Sequence, residues 1–279
     1  MKPILTKEIK VGNLRLGGKN PIFLIAGPCV IEDEKTTFQT ARYLKQLTQQ
    51  LKIPLVFKSS YDKANRTSIE HYRGPGLEKG LKILARIKKE LQIPILSDVH
   101  CRNEIGPAAE VLDIIQVPAY LCQQTDMVVE AAKTGRVLNI KKGQFIAPWD
   151  ISRIVGKAKS TGNDKIILTE RGATFGYNNL VFDIRAIPIM QEIGYPVVAD
   201  ITHMLRIPGP TSQESAGGQP KFIPMLAKAA VAAGCDGLFL EVHPDPKNAL
   251  CDAASQLALN KLEALLKQIK QISQIVRKI

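Results

Sequence analysis

Aromatic side chains are scarce in this 279-residue chain: one Trp, six Tyr and eight Phe. None lies in a run interleaved with Arg, so nucleic-acid binding gains little support. Long apolar runs are missing as well. The best candidate, Ile223 to Ala233, is interrupted by Lys228 and falls well short of the ~20 residues that cross a bilayer. The N-terminal MKPILTKEIKV has too short an apolar stretch for a secretory signal. Cysteines are few, odd in number and without a C-x-x-C pair: Cys29, Cys101, Cys122, Cys235 and Cys251. In a cytosolic chain that argues against disulfides and leaves each as core filler, ligand or bystander. No linker rich in Gly, Pro or Ser divides the sequence. The expectation is one cytoplasmic domain spanning residues 1–279, with neither a membrane nor nucleic acid as partner.

What is present is an ordinary globular balance of 45% hydrophobic and 23% charged residues. The 38 Lys and Arg exceed the 26 Asp and Glu, for a formal net charge of +12. By charge alone this suits nucleic acid and small anionic substrates equally.

Short apolar, β-branched runs alternate with longer periodic stretches. The expected strands are Ile22–Ala26, Leu55–Lys58, Ile93–Ser97, Ile114–Val117, Val137–Ile140, Lys165–Leu168, Pro196–Ala199 and Gly237–Leu240. Between them lie helical patterns such as Thr36–Leu51, Leu77–Leu91 and Asp126–Lys133, and a last helix is expected from Ser255 to about Ile275. Such alternation reads as parallel β/α units, and eight of them in about 250 residues predict an α/β fold, a closed (β/α)8 TIM barrel. An open doubly wound sheet is the alternative, but no G-x-G-x-x-G follows the first strand. Residues 1–20 stand apart. Their KEIKVGNLRLGG predicts a short N-terminal β-hairpin turning at Gly12-Asn13, able to close the bottom of a barrel formed by residues 21–279.

Nearly every expected strand ends in a charged or ligand-type residue. In order these are Cys29, Lys58 with Lys63, Asp98 with His100, Gln116, Lys141 with Lys142, Glu170-Arg171, Asp200 with His203, and Glu241 with His243. Singly, a loop lysine is usually solvated and a lone histidine is often a satisfied core residue. In a barrel, however, the C-terminal strand ends converge on one face, where active sites form. The cations Lys58, Lys63, Arg66, Lys141 and Arg171 exceed what one phosphate needs and imply several anionic groups on the substrates. Cys29, His203, Glu241 and Asp252 offer one soft, one intermediate and two hard donors, a set suited to Zn²⁺ or Fe²⁺ rather than Mg²⁺. Their spacing alone is a weak sign, since no two sit four apart on a helix.

Nine segments now bring a family into view: IAGPCVIE (25–32), FKSSYDKANRTS (57–68), YRGPGLEKGL (72–81), SDVH (97–100), DIIQVPAYLC (113–122), NIKKGQF (139–145), LTERGATFGYNNLVFDIR (168–185), DITH (200–203) and EVHPDPKNALCDAASQL (241–257). From about Ile22 to Leu257 the chain resembles the 3-deoxy-D-manno-octulosonate 8-phosphate synthases of the metal-dependent kind. The resemblance implies a homotetrameric (β/α)8 barrel. It implies condensation of phosphoenolpyruvate with arabinose 5-phosphate and water, releasing inorganic phosphate, on the way to lipopolysaccharide. It implies that Lys63, Lys141 and Arg171 hold phosphoenolpyruvate with Gln116, Lys58 and Ser60 nearby, and that Asn65 and Arg66 hold the sugar phosphate. Asp98 would position substrates or handle protons, with Lys63, Lys141 and His203 completing the catalytic set. Cys29, His203, Glu241 and Asp252 fall on the four metal positions, for Zn²⁺, Fe²⁺, Mn²⁺ or Co²⁺. The Cys of AGPC separates this kind from the metal-independent members, which carry Asn there.

Two positions depart from the family pattern. Gln123 stands where an Arg is usual at the sugar-phosphate end, and Ala216 stands where a Ser is usual, with Ser215 one place early. Losing a guanidinium removes a strong, charge-assisted contact. Three consequences stay open: a site rebuilt with Ser212, Ser215 or Arg206, a weaker acceptor site, or a different acceptor. The sister synthase using erythrose 4-phosphate is the nearest rival, and KANRTS, with its Asn65, matches the octulosonate branch. Cys101, Cys122, Cys235 and Cys251 are expected in packing roles, His71 at the surface, and His100 and His243 along the site.

Overall fold

The computed structural model describes residues 4–177, 179–207 and 217–276. It begins with an antiparallel hairpin of β1 (Ile9–Val11) and β2 (Leu14–Leu16), in which Val11 pairs with Leu14. That register leaves Gly12-Asn13 as the turn, with Gly12 at φ +54, a conformation glycine adopts without steric cost. Strand–helix units follow: β3 (Phe23–Gly27) and α1 (Glu34–Leu51), β4 (Leu55–Lys58) and α2 (Leu77–Leu91), β5 (Ile95–Asp98) and α3 (Arg102–Val111), β6 (Ile114–Val117) and α4 (Thr125–Lys133). The second half brings β7 (Val137–Lys141) with α5 (Ile151–Lys159), then β8 (Ile166–Glu170) with α6 (Ala186–Gln191). A two-residue antiparallel pair, β9 (Ala173–Thr174) and β10 (Leu180–Val181), lies between β8 and α6. The last units are β11 (Val197–Asp200) with α7 (Ile223–Ala232) and β12 (Gly237–His243) with α8 (Leu262–Val276).

Every neighbouring pair among the eight long strands is parallel, and pairing of β11 with β12 closes the sheet into the expected barrel. The closing helix starts at Leu262 rather than Ser255. Before it, β13 (Leu257–Ala258) adds parallel to the end of β12 and a 3-10 turn follows at Leu259–Lys261, so the α-helix begins later than expected. No helix among the described residues is long and apolar enough to cross a membrane.

The two-residue period of a strand decides what fills the barrel. Phe23, Ile25, Val56, Leu96, Ile114, Val137, Ile167, Val198 and Phe239 form an inner apolar cluster. The alternate positions, Leu24, Leu55, Ile95, Ile115, Leu138, Leu168 and Leu240, join the helices in the outer core. Ile9, Val11 and Leu16 of the hairpin belong to the inner cluster, so the hairpin caps the N-terminal end. Each of these nearly fully buried side chains contributes roughly 1.5–3 kcal/mol. Two residues further along each strand the inner face turns polar: Val56 gives way to Lys58, Leu96 to Asp98, Ile114 to Gln116, Val198 to Asp200 and Phe239 to Glu241. All five polar groups are buried. An interior that is hydrocarbon at one end and charged at the other is a scaffold below a site.

Candidate active site

Phe239 is the floor on which the charges stand. Lys141 Nζ lies 3.9 Å from its ring centroid and Lys58 Nζ 5.5 Å from it. Lys58 Nζ donates to Glu241 Oε1 at 2.7 Å and to the Cys29 carbonyl at 3.0 Å. Lys141 Nζ donates to Asp200 Oδ2 at 2.6 Å. Burial pulls the Lys141 ammonium below its ordinary pKa despite Asp200. Burial acts the same way on Lys63, but there Cys29, Asp98 and Glu241 outweigh it and the net shift is strongly upward. Arg171 Nη1 and Gln116 Oε1 are buried and have no hydrogen-bond partner in the protein, although both residues line the cavity. Buried polar groups are almost always satisfied, so unspent ones at a cavity wall point to a ligand.

Asp98 anchors a second network. Its carboxylate accepts from Ser60 Oγ and faces His100 Nε2 at 3.1 Å. On the other side of the ring, Nδ1 lies 3.2 Å from Glu104 Oε2, which also accepts from Tyr61 Oη and the His100 backbone N–H, both at 2.8 Å. Burial raises the Asp98 pKa, yet Lys63 and His100 overcome it and hold the carboxyl well below its usual range. For His100, burial works downward, but the hydrogen bonds to Asp98 and Glu104 push it up to about 9.

The metal-type donors meet at the end of β11 and the loop after β12. Asp200 accepts from the His203 backbone N–H at 3.0 Å and lies 2.8 Å from Nδ1, which fixes the ring proton there. The opposite nitrogen, Nε2, then presents its lone pair to Glu241 Oε2 and Asp252 Oδ2, each 3.8 Å away. Glu241 Oε2 is buried without a hydrogen-bond partner. Two carboxylate oxygens and a ring nitrogen gathered with no proton shared among them match the needs of a divalent cation. Asp252 also groups with Cys29 and Cys251, its carboxylate and both sulfurs lying within 4.8 Å of one another. Burial, and then the neighbouring Cys251, push the Cys29 thiol well above its ordinary pKa, so a metal ion bound there has to displace a proton.

Comparison with known proteins fits this architecture. A family model described as the DAHP synthetase I family matches residues 4–278. The chain is 56% identical to the 2-dehydro-3-deoxyphosphooctonate aldolase of Geotalea daltonii over 98% of its own length and 100% of the relative. Proteins of the same name from Geotalea uraniireducens and Geobacter sulfurreducens also show 56% identity, with the same coverage of both chains. The chain belongs to this aldolase family.

In this family member most of the sequence-expected residues converge on one cavity of about 280 Å³. Lys58, Lys63, Asn65, Arg66, Asp98 and Gln116 line it from the first half of the barrel, and Lys141, Arg171, His203 and Asp252 from the second. Ser60, Cys29 and Glu241 lie buried behind that wall, in contact with Asp98, Cys251 and Lys58 respectively. Ser215, with Ser212 and Ala216, falls outside the described residues.

Strand parity corrects other expectations. Lys142 and Glu170 follow or precede an inward-facing cation by one residue and so face outward. Lys142 is fully buried there, its Nζ donating to the carbonyls of Gly143, Ile146 and Gly172 at 3.1–3.4 Å and lying 3.6 Å from Glu170. His243 does not line the cavity but lies 3.5 Å from Glu32. Gln123 is exposed and outside the lining, and Arg206 is already engaged with Asp252 at 3.1 Å. Cys101 is exposed rather than packed, and Cys251 lines the cavity. Tyr120 and Gln144 also line it without having been singled out, and no charge or strand-end position marks Tyr120. Asp200 was visible as a strand end, but its hold on both Lys141 and His203 was not.

Proposed function

We propose that this chain is a metal-dependent 3-deoxy-D-manno-octulosonate 8-phosphate synthase acting in the cytoplasm on the route to lipopolysaccharide, with residues 1–279 as one catalytic domain. It joins phosphoenolpyruvate, D-arabinose 5-phosphate and water to give the eight-carbon phosphosugar acid and inorganic phosphate. The observation that carries the reading is the unspent pair Arg171 Nη1 and Gln116 Oε1 in a cavity that also holds Lys58, Lys63 and Lys141. Arg171 Nη1 and the lysine ammonium groups are donors for phosphate and carboxylate oxygens, while Gln116 Oε1 accepts from a hydroxyl or water, so an anionic substrate together with a hydroxyl or water satisfies such a wall. The names of the relatives favour this reaction over that of the sister synthase.

Lys63, Lys141 and Arg171 clamp phosphoenolpyruvate, with Gln116 and Lys58 beside them, and Asn65 and Arg66 take the sugar phosphate. Holding the two in register lets the enol carbon bond to the aldehyde carbon. Water oxygen ends on carbon 2, and the carbon–oxygen bond to phosphate breaks. Asp98, kept ionised by Lys63 and His100 and steadied by Ser60, orients a substrate hydroxyl and accepts its proton. His203 keeps its proton on Nδ1 against Asp200. Cys29, His203, Glu241 and Asp252 are the donors for a divalent transition metal, which when bound supplies Lewis acidity to a substrate or water oxygen.

A homotetramer is proposed with it. Tyr120, Phe145, Trp149 and Phe175 are exposed on loops that follow three neighbouring strands, β6, β7 and β8, and a second copy of the chain would cover them.

The test is phosphate release from phosphoenolpyruvate with arabinose 5-phosphate or erythrose 4-phosphate, each with and without a chelator. Turnover with the five-carbon sugar alone, lost on chelation and restored by Zn²⁺, Fe²⁺, Mn²⁺ or Co²⁺, is the expected result. Turnover with neither sugar overturns the assignment, and turnover indifferent to the chelator overturns its metal half.

A further inference from the structure

One sulfur has no part in the set of donors above. Cys251 Sγ lies 3.2 Å from Cys29 Sγ, and both thiols are buried. The two sulfurs and a carboxylate oxygen of Asp252 gather as closely as the donors of His203, Glu241 and Asp252 do, with Asp252 common to both groups. By position the two thiols are equivalent donors beside Asp252.

The backbone is arranged to bring this about. Cys251 and Asp252 are adjacent in a bend of the chain, and both line the cavity. Asp252 has φ +49, in the left-handed region that non-glycine residues seldom occupy. Such conformations persist where the surroundings hold them, commonly at ligand-binding positions. Cys251 packs with Cys29, Val30 and Tyr72, and its sulfur also meets a cation. Arg66 Nη1 donates to its sulfur at 3.1 Å.

We propose that Cys251 is a second sulfur donor at this centre, so that a thiophilic divalent ion is held through Cys29 and Cys251 together with Asp252. The proposal rests on the metal reading above and refines its ligand set. Two thiolates bias the centre toward Zn²⁺, Co²⁺ and Cd²⁺ and away from Mg²⁺ and Mn²⁺.

The experiment uses full-length protein, stripped of metal under reducing conditions and reloaded with Co²⁺ alone. Its readout is the near-ultraviolet sulfur-to-cobalt charge-transfer band per bound ion. Cys251→Ser is expected to lower that band about twofold, as Cys29→Ser does, since each removes one of two thiolates. A band unchanged by Cys251→Ser overturns the proposal. The ¹¹³Cd resonance of wild-type protein loaded with Cd²⁺ counts sulfur donors without any substitution. A two-sulfur shift supports the assignment, and a one-sulfur shift overturns it while leaving the metal reading intact. Failure of wild-type protein to take up either ion overturns both.

Discussion

Lys58 holds one half of Glu241 and leaves the other free. Its ammonium donates to Oε1 at 2.7 Å, while Oε2 is buried with no hydrogen-bond partner, 3.8 Å from His203 Nε2. Burial raises the Glu241 pKa, but Lys58, His203, Lys63 and Lys141 outweigh it and keep the carboxyl well below its usual range. The lysine therefore does two things: it keeps a fully buried carboxylate charged and it fixes which oxygen remains available.

Lys58→Met leaves that carboxylate without its closest counter-charge. Breaking one side of a buried ion pair costs about 3–5 kcal/mol, so urea unfolding of the metal-free variant is expected to show a loss of that size. Saturating Zn²⁺ restores part of it, because a cation bound to the folded state replaces the missing charge. A deficit that is the same with and without Zn²⁺ would show that Glu241 does not face the ion.

Arg171→Ala and Asn65→Ala are expected to separate the two substrates. Loss of one charge-assisted contact weakens binding by about 1.5–3 kcal/mol, roughly 10- to 100-fold. Steady-state kinetics should show that loss in KM for phosphoenolpyruvate with Arg171→Ala and in KM for arabinose 5-phosphate with Asn65→Ala. Identical patterns in the two variants would refute the division of the cavity.

His100 makes stability depend on alkaline pH. Its folded pKa, about 9, exceeds the ordinary 6.5, so the folded protein keeps a proton that the unfolded chain has released between those values. The contribution is complete below about pH 6.5 and is lost as pH rises through about 9, for a change on the order of 3 kcal/mol. Urea midpoints measured at pH 6 and pH 9.5 should fall for the wild type and fall less for His100→Gln. Equal slopes in both proteins would remove the imidazolium bridge between Asp98 and Glu104.

Gly27→Ala tests how tightly the first two barrel strands are joined. A Cβ there would lie 1.9 Å from the Lys58 carbonyl oxygen, against backbone that cannot turn aside. Displacing it costs on the order of 3 kcal/mol and carries Lys58 with it. Thermal melts should show the loss in stability, and Zn²⁺ titration a weaker site. An unperturbed melt would mean that β3 and β4 are not so closely packed.

The barrel was legible because its strands are short β-branched runs bounded by turn residues, and each of the eight expected segments overlaps an observed strand. The site was legible at the strand ends for a topological reason: in a parallel barrel those ends share one rim. What a list of strand ends misses is parity. Lys141 and Lys142 are adjacent and equally basic, yet one enters the cavity and the other faces the outer shell. Counting the period of two from Leu138 and Ile140 outward would have separated them. Residues 257–258 escaped because their apolar spacing also suits a helix, and pairing with β12 overrode it. Cys251 was passed over as filler since nothing in its immediate sequence reveals the Cys29 thiol, 222 positions away along the chain.

The hairpin of residues 9–16 has a consequence for traffic. With Ile9, Val11 and Leu16 wedged into one end of the barrel and Phe239 beneath the charged layer, the chamber is a cul-de-sac. Among the described residues, exchange is expected through the mouth opposite the plug. Whichever partner settles deepest is then penned in by the second, and it can depart unchanged only after its companion has gone. Order of arrival is then expected to follow from architecture, through a plug at the far end from the charged layer.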